Sequence, residues 1–153
     1  MEDVLKQAKL KALSLLTDVD RTEEQLRQKL KQKSYEDGVV EQAIDYVKSF
    51  GYIDDAKYAQ RFVENRKKTK SRQEISAMLS QKGVKRELIA EALDTCYTSE
   101  DAIEAIRYLA EKKHYSPEES SEKEKKKIYD YLLRKGFYYE DIRQVIQVSF
   151  WNA

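Results

Sequence analysis

Residues 22–47, TEEQLRQKLKQKSYEDGVVEQAIDYV, decide the fold, because their pattern returns twice. Apolar residues stand at Leu26, Leu30, Tyr35, Val40, Ala43, Ile44 and Val47. A shift of 49 residues lands on Ile75, Leu79, Val84, Ile89, Ala92, Leu93 and Cys96. A further 53 lands on Ile128, Leu132, Phe137, Ile142, Val145, Ile146 and Ser149. Steps of three and four residues mark one buried stripe on each helix. The punctuation repeats too. Lys33-Ser34, Lys82-Gly83 and Lys135-Gly136 each close the first helix of a pair, where glycine suits the left-handed residue after a helix.

A further helix precedes each pair. The spacing predicts helices over 4–17, 55–68 and 102–113, carrying Leu5, Ala8, Ala12, Leu13, Leu15 and Leu16, then Tyr58, Ala59, Phe62 and Val63, then Ile103, Ala105, Ile106 and Leu109. The expected fold is all-α: three tandem three-helix repeats over residues 1–50, 51–97 and 98–153, about nine helices in an elongated, curved array. A few of the tyrosines would lie where repeats meet. Thr22 with Gln25 and Ser71 with Glu74 read as capping boxes, Asp54 as an N-cap, and Thr98 or Ser99 as the cap of the seventh helix. The stretch from His114 to Ser121, with the only proline, reads as an exposed loop.

Composition narrows the function. Across 153 residues, 29 basic residues stand against 28 acidic ones, a net charge of +1. That excludes a bulk polyanion binder; a nucleic-acid site must be a local patch. Four Gly and one Pro argue against an all-β fold. No run reaches the length of a membrane span and no leader peptide is visible, so a cytoplasmic protein is expected. One Cys and one His make no zinc constellation, and the isolated glycines make no phosphate loop, so no metal, cofactor or small-molecule substrate is expected. The Asp54-Asp55 pair is open to two readings, helix capping or acid–base and magnesium chemistry, and capping explains it without further assumption. Cys96 falls on an inward helix position and reads as a small core residue. The tail at Trp151 reads as packed on the third repeat or as an exposed anchor.

Charge is distributed unevenly. The second helices of the three repeats (21–33, 71–82, 123–135) are net +3, +1 and +4, whereas the third helices (36–50, 85–97, 139–150) are net −3, −1 and −1. A helix read into a DNA groove needs cationic or amide side chains, so acidic third helices speak against helix-turn-helix recognition. The densest basic run holds Arg61, Arg66, Lys67, Lys68, Lys70 and Arg72. It suits phosphates or an acidic protein surface, and equally a solvated helix end whose cations complement the dipole. Lys123 with Lys125, Lys126 and Lys127 forms a second cluster, open to the same two readings.

The stretch Phe50-Gly51-Tyr52-Ile53-Asp54-Asp55, followed by Tyr58-Ala59 and Phe62-Val63-Glu64-Asn65-Arg66, resembles the central signature of the RecX family. So do Glu74, Leu79 and Lys82-Gly83-Val84, and, upstream, residues 12–16 and 21–30; the likeness covers about residues 8–150. It implies a non-enzymatic regulator of the recombinase RecA. Such a protein binds the filament of RecA on single-stranded DNA and inhibits its extension, ATPase, strand-exchange and co-protease activities. Gly51, Tyr52, Asp54, Asp55, Tyr58 and Phe62 would then be mostly structural signature residues. The two basic clusters would be the contacts, Arg61, Arg66, Lys67, Lys68, Lys70 and Arg72 first and Lys125, Lys126 and Lys127 second. The rival reading is a helical module that binds single-stranded DNA without RecA, through basic second helices and tyrosine stacking.

Overall fold

The computed structural model describes residues 2–147, the side chain of Glu2 excepted. Among them are nine helices and no strand: α1 Glu2–Asp18, α2 Glu23–Gln32, α3 Asp37–Ser49, α4 Asp55–Arg66, α5 Arg72–Gln81, α6 Arg86–Cys96, α7 Ser99–Lys112, α8 Glu122–Arg134 and α9 Tyr139–Arg143. They follow one another as three triplets, as the recurring pattern requires.

The cores follow the register of the repeat. Leu26, Leu30, Val40, Ala43, Ile44 and Val47 are buried with Ala8, Ala12, Leu15 and Ile53, while Tyr35 is half-buried against them. In the second triplet Ile75, Leu79, Val84, Ile89, Ala92 and Leu93 are buried. In the third, Ile128, Leu132, Phe137, Ile142 and Ile146 are buried. Ser149 and Trp151 lie outside the described residues. Packing divides the chain differently from the repeat. The described residues of Met1–Ala59 with Leu79–Ile89 form one compact unit, and those of Gln60–Met78 with Ala90–Ala153 form another. The division passes through the second triplet.

Helix starts are capped as the sequence predicts. Thr22 and Gln25 make a reciprocal box at α2, and Ser71 and Glu74 make one at α5. Thr98 rather than Ser99 caps α7, boxed by Asp101, and Ser121 with Glu124 does the same at α8. Asp54 accepts from the Lys57 N–H at 3.1 Å at the start of α4.

Three expectations are corrected. The last helix ends at Arg143 instead of continuing toward residue 150. Its hydrogen bonds tighten, with Gln144 N–H donating to Asp141 and Val145 N–H to Ile142. The run of Ile142, Val145 and Ile146 is β-branched and disfavours continued helix. Cys96 is half-exposed, not a core residue. The core position at the end of α6 is taken by Tyr97, 1% exposed. Helix α4 stops at Arg66, two residues early, as Thr69 N–H and Lys70 N–H both turn back to the Arg66 carbonyl.

Candidate functional site

The first basic run starts on the last turns of α4 and ends on the first residue of α5. Its cations have different surroundings. Lys67 is committed inside its unit. Its Nζ lies 3.1 Å from Glu64 Oε2 and 3.5 Å from Asp101 Oδ2, and it donates to the Cys96 carbonyl at 3.2 Å. The Glu64 carboxylate, ahead of the opposing effect of burial, raises its pKa. Arg72 donates to the carbonyl of Tyr97 and lies 5.1 Å over that ring. The Tyr97 hydroxyl in turn donates to the Lys70 carbonyl at 2.8 Å. Burial pushes the pKa of that phenol upward, so it stays a donor at any physiological pH.

These bonds close the turn between α4 and α5 against the end of α6. Two of the six cations therefore hold the turn, and they stiffen the frame that carries the others. Arg61, Arg66 and Lys68 are exposed, and Lys70 is half-buried. Arg66 rests 5.0 Å over the Phe62 ring, which orients its guanidinium without neutralising it.

The second cluster divides likewise. Lys125 is buried along its stem, with its ammonium 3.8 Å from Glu122. Lys126 and Lys127 are exposed, and Lys126 reaches Asp130 only at 4.0 Å. The helical period explains this: Lys125 shares its face with Ile128 and Leu132, which are buried.

The signature residues act mainly on local geometry. Gly51 adopts φ 75° in the turn after α3. Tyr52 is exposed and stacks on Phe50 at 5.9 Å, and Phe50 meets Tyr46 edge-on at 5.1 Å. Phe62 is buried, Tyr58 half-buried. Asp55 does something the sequence did not disclose: its Oδ1 accepts from the Glu23 N–H at 2.9 Å, tying the start of α4 to the start of α2. Burial pushes the Asp55 carboxyl up, ahead of the opposing Glu23 N–H.

Beside this bond sits an ion cluster. Arg27 contacts Glu23 at 3.1 Å, Glu24 at 2.6 Å and Glu41 at 2.7 Å. Lys48 pairs with Glu23 at 2.9 Å. The groove here, about 430 Å³, has charged walls on which Arg27 and Lys48 are paired with Glu23 and Glu24. No group of three or more His, Cys, Asp or Glu among the described residues is arranged to hold a metal ion. No described helix is long and apolar enough to cross a membrane.

The repeats are joined by a device met twice. The Thr22 hydroxyl donates to the Lys82 carbonyl at 2.6 Å. The Ser71 hydroxyl donates to the Lys135 carbonyl. In both cases the cap of one second helix meets the carbonyl end of the next. Both hydroxyl residues are fully buried.

Comparison with known proteins follows this triplet order. The family model described as the first three-helix domain of RecX matches residues 8–46, the second 54–93 and the third 99–146. The regulatory protein RecX of Caldanaerobacter subterraneus is 34% identical over 145 residues, which cover 94% of this chain and 71% of the relative.

The chain belongs to the RecX family.

A RecX protein of Clostridium botulinum Eklund 17B is 35% identical over 130 residues, 83% of this chain; the match spans only 61% of that relative's length. The crystal structure of RecX from Lactobacillus salivarius superposes with a TM-score of 0.81 at 26% identity, covering 96% of this chain and 97% of that one. A second crystal structure of regulatory protein RecX gives 0.83 at 27% identity, covering 95% and 74%. The RecX neighbours share the helical fold, and the curated relatives are named as regulators.

Proposed function

We propose that this RecX-family chain regulates RecA by binding its filament on single-stranded DNA, without catalysing a reaction. Binding hinders filament extension, and with it ATPase, strand exchange and co-protease function. The repeats at 1–50, 51–97 and 98–153 act as modules bridging neighbouring subunits in the cytoplasm. The observation that carries this reading is the unbroken series of three RecX domains along the chain. Arg61, Arg66, Lys68, Lys70, Lys126 and Lys127 supply the contacts with acidic protein or phosphate. Lys67, Arg72 and Lys125 act indirectly, by holding the turn and the face of α8.

Co-sedimentation with preassembled RecA filaments tests it, using a slowly hydrolysed ATP analogue and running DNA alone beside it at two salt concentrations. Pelleting with filaments, and hardly with DNA, is expected. Equal binding to bare DNA that falls steeply with salt means a single-strand module acting without RecA. The triple reversal R66E/K68E/K126E should weaken filament inhibition with helical content unchanged; full inhibition by that variant removes these residues from the site.

A further inference from the structure

The joint between repeats has an acceptor half whose geometry admits only glycine. Gly83 and Gly136 follow the carbonyls that receive the Thr22 and Ser71 hydroxyls, at φ 86° and 98°. A Cβ on Gly83 would overlap the side chain of Glu24. A Cβ on Gly136 would overlap that of Gln73. Glu24 and Gln73 occupy the same place, two residues after the capping hydroxyl. Closest approach of the two helix ends therefore depends on a missing side chain, once in each joint.

The series contains one acceptor half and one donor half outside these joints. The acceptor half is Lys33-Ser34 at the end of α2. Ser34 has the same left-handed backbone, φ 68°, but carries a Cβ. Both residues are exposed. The donor half is the start of α8, where Ser121 keeps the hydroxyl and the capping box yet is exposed, unlike Thr22 and Ser71. Lys123 occupies the position of Glu24 and Gln73.

We infer that Ser34 is a terminator: its side chain prevents the third repeat of a second copy from docking on the end of α2 through the joint the chain uses internally. Without that block the interface is heterologous, one end of the series meeting the other, and such contacts propagate into open chains. The occupant excluded is a second copy of this chain, because its Ser121 end carries the same donor that engages Lys82 and Lys135 within the molecule.

Sedimentation velocity over a wide concentration range tests the terminator with the full chain. S34G removes the Cβ; S34N keeps a Cβ while tolerating the left-handed backbone. The native chain and S34N should sediment as a concentration-independent species. S34G should show a mass rising with concentration toward dimers and longer chains, and S34G/S121A should lose that rise. A concentration-independent S34G with native helical content overturns the inference. So does association of S34G that persists after S121A, or association of S34N equal to that of S34G.

Discussion

The two joints share a backbone plan and differ in their side chains. At the first, between Thr22 and Lys82, the surroundings are carboxylate-rich: Glu23, Glu24, Glu41 and Asp55 gather around Arg27 and Lys48. At the second, between Ser71 and Lys135, the surroundings are cationic and aromatic. Arg72 bonds the Tyr97 carbonyl, and Lys135 reaches Glu74 at 3.3 Å and lies 5.2 Å over Tyr131. The common part is what close helix packing demands: a hydroxyl for an orphan carbonyl and a residue without Cβ. The variable part is electrostatic. One scaffold thus carries an acidic region in one unit and a basic one in the other without altering how repeats join.

The shared part is the first to break. Gly83→Ala and Gly136→Ala should each destabilise by about 2–4 kcal/mol, combining left-handed strain with overpacking. Gly51→Ala should cost about 1 kcal/mol, because its backbone is equally left-handed but nothing lies within 4 Å of an added Cβ. Urea midpoints of the three variants measure the difference. Equal losses at all three would mean that the close approach contributes nothing.

The hydroxyls come next. Thr22→Ala and Ser71→Ala each remove a helix cap and leave a joint carbonyl without its partner, about 2–3 kcal/mol. Ser121→Ala removes only a cap, about 1 kcal/mol. Equilibrium unfolding that ranks Ser121 with the other two would erase the distinction between the joints and the exposed start of α8.

The smallest expected effect separates the joints by pH. Burial pulls the Glu23 carboxyl up, but hydrogen bonds from Lys48 and Arg27 outweigh it and leave the pKa lowered. Hydrogen bonds from Gln28 and then Arg27 lower Glu24, and Arg27 lowers Glu41. A lowered carboxyl contributes stability above its unfolded value, and this is lost as pH falls through the folded one. The raised Asp55 acts oppositely, favouring the fold as it protonates. Three against one, the cluster should lose stability below about pH 4.5. In Arg27→Met stability should fall by about 0.5–1 kcal/mol at pH 7, and its further decline in acid should flatten. An acid slope identical to that of the native chain would place the sensitive groups elsewhere.

How much of this was legible beforehand varies with the range of the interaction. The triplet cores were readable because burial on a helix is periodic, and Leu26, Ile75 and Ile128 keep one register across shifts of 49 and 53 residues. Caps were readable because Thr22–Gln25 and Ser71–Glu74 act within four residues. In the candidate site, the basic run was visible as composition, but not its division into inner and outer cations. Lys67 and Arg72 are held by partners about thirty residues away, Cys96, Tyr97 and Asp101. Tyr97 gave only a weak signal: an aromatic residue directly after the expected inward position at Cys96.

By itself, then, the chain determined its helices, their grouping in threes and the family they belong to, because local hydrogen bonding and apolar periodicity are written into neighbouring residues. Tertiary structure alone decided which cations remain exposed, that Asp55 ties α4 to α2, and why glycine ends α5 and α8. A left-handed turn explains a glycine at a helix end; only the approach of Glu24 and Gln73 explains why the side chain must be absent. Those are contacts between residues some sixty positions apart, and no local pattern encodes which two surfaces will meet.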